Sequence, residues 1–139
     1  MVVYNPFSLE GKTILVTGAS SGIGKATAIE CSKLGATVII TGRNQERLND
    51  TLNALDTTRG QKHQTILADL STADGLDALI ENLPAVDGIS DNAGSTNGNK
   101  PVKFIKDDEL ESVLNVNTLA HVRLAKALFK KKLLNKGAS

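Results

Sequence analysis

The octapeptide Thr17-Gly18-Ala19-Ser20-Ser21-Gly22-Ile23-Gly24 is the stretch whose residue types and spacing most directly suggest chemistry. It follows a β-rich apolar run, Thr13 to Thr17, and opens a segment of helical periodicity. Gly18 permits a tight exit from a strand, Gly22 removes a Cβ where an anion would approach the backbone, and Gly24 lets a helix lie close on a sheet. The N–H groups near Ser21 to Ile23 then point at an anion, aided by the helix dipole. Three glycines in a loop would otherwise be only a turn; placed between a buried strand and a helix, they fit the pyrophosphate of a dinucleotide.

The elements needed to hold such a turn recur along the chain. Val38 to Thr41, Gln64 to Ala68 and, more weakly, Val86 to Asn92 read as further strands, the first two continuous enough in β-forming residues to be buried on both faces. Helical stripes lie between them: Ile23, Thr27, Cys31 and Leu34; then Leu48, Leu52 and Leu55; then Leu76, Leu79, Ile80 and Leu83, stopped by Pro84. Gly35 is placed as a C-terminal cap, Asn44 as an N-cap, and Ser71 with Asp74 as a capping box. A mostly helical pattern, in one or two pieces, covers Asp107 to Leu134. Strand and helix alternate four times, so right-handed crossovers predict an α/β, doubly wound parallel sheet of about four strands with helices on both faces. The stretch Gly94 to Pro101 reads as a functional loop at the carboxyl end of the sheet.

The chain has 139 residues, 16 Lys+Arg against 15 Asp+Glu, and one Cys. That length supports one domain with a sizeable core, residues 1–10 forming an N-terminal arm. With Tyr4, Phe7, Phe104 and Phe129 its only aromatics, the core must be built from Val, Ile, Leu and Ala. A net charge of +1 gives no global attraction to nucleic acid or to a membrane surface. The N-terminus lacks the pattern of a signal peptide and no apolar run suits a membrane helix, so the cytoplasm is the expected location. Cys31 reads as core packing, and His63 and His121, without ligand spacing, as surface or boundary residues rather than metal ligands. Arg123, Lys126, Lys130, Lys131, Lys132 and Lys136 make the end of the chain basic; complementing a helix dipole accounts for them without an acidic partner or a membrane.

With TGASSGIG the sequence resembles the short-chain dehydrogenase/reductase family, and further motifs agree in order from about Leu9 to about Leu134. Asp69, followed by Leu70, matches the family's adenine-binding Asp. Asn92, Ala93 and Gly94 match its Asn-Ala-Gly signature, which borders the nicotinamide-side ribose. Asn117 matches its helix Asn, which serves the active site through a main-chain contact and bound water. The resemblance implies a Rossmann-type fold, strand order 3-2-1-4, and a nicotinamide cofactor bound by Gly18, Gly22, Gly24 and the Ile23 N–H. Charge chooses between cofactors. An NAD site commonly has a carboxylate at the end of the second strand, which would repel a 2'-phosphate. Gly42 stands there, followed by Arg43, whose guanidinium suits a phosphate monoester, so NADP(H) is expected over NAD(H). Ser20, Ser21 and Asn44 are expected to add neutral hydrogen bonds. A solvated surface role for Arg43 is the alternative.

The family's chemistry is done by a Tyr and a Lys one helical turn apart, with a Ser on a preceding strand. None can be assigned: Tyr4 is the only tyrosine, and Ser8 stands four places beyond it. The chain therefore reads as the N-terminal, cofactor-binding half of an oxidoreductase, inactive alone. Ser90 and Asp91 depart from the family's apolar fourth strand. They suit an exposed strand edge, in a chain shortened by design or by drift, although chance variation also produces such residues. Surplus apolar surface on the last helix, or the fourth-strand edge, is expected to drive self-association as a dimer. Two other readings remain: a self-associating structural half-fold that binds nothing, and one part of a carbonyl or 3-oxoacyl reductase completed by a second chain.

Overall fold

The structure, a computed structural model, describes residues 4–96 and 98–139. The first three residues of the expected arm, and Asn97 of the expected functional loop, lie outside them. Strands β1 (Thr13–Val16), β2 (Thr37–Gly42), β3 (Gln64–Leu67) and β4 (Gly88–Ser90) form one parallel sheet in the order β3-β2-β1-β4. Helices α1 (Gly22–Lys33), α2 (Gln45–Asn53) and α3 (Ala73–Asn82) make the crossovers, followed by α4 (Asp107–Leu114) and α5 (Ala120–Lys130). The expected sheet order holds, and the long final helix is divided: a π-helical turn at Asn115–Leu119 joins α4 to α5.

Two apolar layers sandwich the sheet. One packs α1 and α2 on Val16, Val38 and Ile40; the other packs α3 and α5 on Leu15, Ile39 and Ile66. Successive strand residues point to opposite faces, so a two-sided sheet uses every position of an apolar run such as Val38-Ile39-Ile40. All buried hydrophobic residues among those described are Leu, Val, Ile or Ala, and the four aromatics lie outside the core.

Three local readings need correction. The buried line of α1 is Gly24, Ala28 and Ser32, with Ile23 77% exposed and Cys31 only partly covered. Small residues bring the helix axis close to the sheet, which a line of large side chains would prevent. Thr72, not Ser71, caps α3, its hydroxyl accepting from the Gly75 N–H at 3.0 Å. The Ser71 hydroxyl instead donates to Asp69 at 2.6 Å. Strand β4 is shorter than expected, and its outer edge is partly covered. Val86 bridges Leu134 in parallel, Ile89 N donates to Ser139 O at 2.8 Å, and Ser139 N to Asp87 O at 3.1 Å.

The placements of Asn44 and Gly35 agree with the structure. The Asn44 side chain accepts from Arg47 N at 2.9 Å, and Gly35 sits just past α1 at φ +101°. Leu83, before Pro84, is extended at ψ 124°, as the proline ring requires of its predecessor. The arm meets the body of the fold at Leu9, whose N donates to Leu34 O at 2.8 Å, while Tyr4 to Ser8 are exposed.

Candidate functional site

At the carboxyl end of the sheet, a cavity of about 500 Å³ opens between β1, β2, β3 and β4. Gly18, Ser20, Ser21, Gly22, Ile23 and Gly24 line it from the glycine turn, Arg43 from the end of β2, Asp69 and Leu70 from the end of β3, and Asn92, Ala93 and Gly94 from the end of β4. Four segments widely separated in sequence thus meet because parallel strands all end on the same side.

The glycine turn is shaped by contact as well as by torsion. Gly18 and Gly22 have φ of +60° and +56°. A Cβ on Gly18 would lie 2.7 Å from Asn92 O, and one on Gly24 would collide with the Gly18 carbonyl. The two turns therefore touch backbone to backbone, and α1 sits directly on the first. Two hydrogen bonds hold the turn on the sheet: Ala19 N donates to Thr41 O at 3.2 Å, and the Thr51 hydroxyl of α2 to Ala19 O at 2.9 Å. Ser21 precedes α1 in extended conformation without capping it through its side chain, and the first turn of α1 has no acidic residue. By contrast α2 and α3 each have a side-chain cap and an acid in the first turn. The N-terminus of α1 therefore presents amide dipoles to the cavity with no side-chain acceptor of its own.

Asp69 is a structured acceptor. Its Oδ1 accepts from the Ser71 hydroxyl and, at 3.0 Å, from Ser71 N. These bonds, the hydroxyl foremost, together with the positive charge of Arg43, hold its carboxyl below the ordinary carboxylate range. Its Oδ2 has no hydrogen-bond partner among the described residues. Leu70 belongs to the core as well as to the cavity wall.

Two expected residues are elsewhere. The Asn44 oxygen is engaged in capping α2, and Asn44 does not line the cavity. Asn117 clasps the loop after β4, its Oδ1 accepting from Ser95 N at 2.7 Å and its Nδ2 donating to Ser95 O at 2.8 Å. It too lies outside the lining. Arg47, in the first turn of α2 and also on the cavity wall, and Val116 from the π-helical turn are lining residues that the sequence did not single out. Arg43 precedes the extended N-cap of α2, so no helical spacing links the two arginines, and nothing local marks Val116. Thr41, whose Oγ1 is buried without a hydrogen-bond partner among the described residues, also belongs to the lining.

A nucleotide-sized cleft at the carboxyl edge of a 3-2-1-4 sheet, with a glycine turn under a helix N-terminus, defines a Rossmann-type dinucleotide fold. The sequence profile of the short chain dehydrogenases matches residues 12–139, and the chain belongs to that family. It is 39% identical over 122 residues to the uncharacterized oxidoreductase YvaG of Bacillus subtilis, covering 86% of this chain and 45% of that protein. To the 3-oxoacyl-[acyl-carrier-protein] reductase FabG of Pseudomonas aeruginosa it is 38% identical over 130 residues, covering 88% and 51%. L-sorbose reductase from Gluconobacter frateurii, solved with NADPH and L-sorbose, superposes with a TM-score of 0.80 at 29% identity, over 90% of this chain and 49% of that one. The chain thus spans about half the length of the relatives it matches. No helix among the described residues is long and apolar enough to cross a membrane.

Proposed function

We propose that this chain binds NADP(H) in the cleft, with the 2'-phosphate between Arg43 and Arg47 and the pyrophosphate on the N-terminus of α1. One observation carries the reading: Arg43 and Arg47 line one cavity, and among the described residues neither guanidinium forms a salt bridge or a hydrogen bond, the Asp69 carboxylate feeling the Arg43 charge only from a distance. Arg47 lies in the first turn of α2, where the helix dipole disfavours a cation. Two like charges beside a positive helix end are repulsive until an anion joins them, and a phosphate monoester has the charge and acceptor geometry to do so. Gly42 leaves no carboxylate to oppose it. Asp69 Oδ2 faces the adenine amino group, the amides of Ser21 to Ile23 bind the pyrophosphate, and Asn92, Ala93 and Gly94 border the nicotinamide-side ribose. The NADPH of L-sorbose reductase supports the choice.

Calorimetric titration of the chain with NADP(H), NAD(H) and 2'-phosphorylated adenosine tests it. Each charge-assisted bond lost by Arg43→Ala or Arg47→Ala costs about 1.5–3 kcal/mol, a factor of ten or more in Kd for NADP(H) and the fragment. NAD(H) affinity stays unchanged. Absence of heat with all three ligands overturns the proposal in favour of a non-binding structural half-fold.

Without the family's Ser, Tyr and Lys, this chain alone does not catalyse hydride transfer at a useful rate. A reductase completed by further polypeptide is favoured by the pairing of Leu134 and Ser139 with the outer edge of β4, where a fifth parallel strand would lie. Its substrate would be a ketone or an acyl-linked 3-oxo compound, with activity arising only on mixing the two parts. Self-association of the chain itself is favoured by the α4–α5 face. Leu114, Leu119, Val122 and Phe129 are 51%, 47%, 63% and 72% exposed. Asp107, Asp108 and Glu111 lie toward one end and Arg123, Lys126 and Lys130 toward the other, so an antiparallel two-fold pairing sets acid against base.

A further inference from the structure

Thr17 ends the run of β1, Asp91 follows β4, and His121 stands in the first turn of α5. Register pairs Val16 with Ser90, so Thr17 and Asp91 are the next neighbours across the sheet. The Thr17 hydroxyl oxygen accepts from Asn92 N at 2.9 Å and from Ala93 N at 3.0 Å. A hydroxyl has two lone pairs and one proton. With both lone pairs taken, the proton is left for Asp91, whose Oδ1 accepts it. The other carboxylate oxygen of Asp91 lies 2.5 Å from His121 Nδ1, and because a carboxylate only accepts, Nδ1 donates.

We propose that His121, Asp91 and Thr17 form a positioning chain that fixes the turn Asn92–Gly94 against Gly18 and so holds the β4 wall of the cavity in its ligand-ready shape. Asp91 and His121 do not line the cavity, and act on it only through Thr17 and the turn's two amides. The role rests on the dinucleotide reading for its consequence: the β4 wall meets the nicotinamide half, whereas Arg43, Arg47 and Asp69 meet the adenosine half. Removing the chain therefore loosens the grip on the whole dinucleotide and leaves the 2'-phosphorylated adenosine fragment unaffected. Asp91, expected as protection for an edge, acquires a second task by this geometry, and His121 a defined partner.

Two measurements on the same variants test the proposal. Hydrogen exchange on ligand-free protein reads the turn directly. In Asp91→Ala, the amides of Asn92 and Ala93 exchange about tenfold faster or more, as loss of one oriented hydrogen bond implies, while those of Val38 to Ile40 do not change. Asp91→Asn, which keeps an oxygen for Thr17, restores much of the protection, and His121→Ala gives a smaller effect. In calorimetry, Asp91→Ala weakens NADP(H) but not the fragment. Unchanged exchange at Asn92 and Ala93, or faster exchange throughout the core, overturns the positioning role. Equal weakening of both ligands overturns its restriction to the nicotinamide half. Altered exchange at the turn in a protein that binds neither ligand sustains the positioning of the turn and refutes the nucleotide reading instead.

Discussion

Asp69 is fixed in place and charge before any ligand arrives, as its proposed role at the adenine requires. Its Oδ1 is anchored by Ser71, and those bonds together with the charge of Arg43 lower its pKa. A group whose folded pKa is depressed contributes stability that is present above its unfolded value and lost as pH falls through the folded one. Asp69 is therefore ionised across the neutral range, and its own contribution to affinity at the adenine end, read as the difference between wild type and variant, should be constant from about pH 5 to 8 and be lost only below the ordinary Asp value near 3.9. Titrations of the 2'-phosphorylated fragment at a series of pH values check this for Asp69→Asn against wild type, since the phosphate's own ionisation near pH 6 is common to both. Asp69 and Arg43 were legible as cavity-wall residues because each follows a strand end, and the glycines, two of them in the first turn of α1, through their spacing. Arg47 was not, because it belongs to a helix and reaches the cavity only through the direction in which α2 leaves β2. Asn44 was legible as the cap of α2, its Oδ1 accepting from Arg47 N, whereas its place outside the cavity lining depends on the path of the chain from β2 into α2.

Among the elements, α1 carries the main discrepancy. Apolar periodicity marks Ile23, Thr27, Cys31 and Leu34, yet the side set against the sheet is Gly24, Ala28 and Ser32. Hydrophobicity is a weak guide where the packing requirement is smallness. Ser32 is tolerated there because its hydroxyl donates to Ile29 O at 2.7 Å and accepts from Asp56 N at 2.8 Å. Ala28→Leu should therefore overpack the layer and cost about 1–3 kcal/mol. Ile23→Ser, on the exposed side, should stay within about 0.5 kcal/mol of wild type. Chemical denaturation separates the two, and the reverse order would restore the periodicity-based orientation. Strands β1 and β2 were easier to read, because burial on both faces leaves an unbroken apolar run. The weakness of β4 was visible in its polar residues, but the pairing of Val86 with Leu134 was not, since contacts so distant along the chain leave no local pattern.

For the molecule as a whole, the exposed line on α4 and α5 should make the chain a dimer at micromolar concentration. Light scattering coupled to size exclusion measures it directly. Val122→Lys, at a position 63% exposed and hence free of core consequences, should shift the population to monomer without changing the melting temperature of the monomer. A wild-type monomer at all usable concentrations removes the helix-face interface. The backbone contact between Gly18 and Asn92 has a wider consequence. It joins the glycine turn, proposed to receive the phosphates, to the turn after β4, proposed to border the second ribose, so that neither swings independently. A ligand arriving there meets a finished mould rather than two flaps to be folded over it. The entropy of ordering those loops is lost during folding of the chain and not again on association, which leaves the affinity of the cleft to be set by the ligand's own loss of freedom and the quality of its contacts.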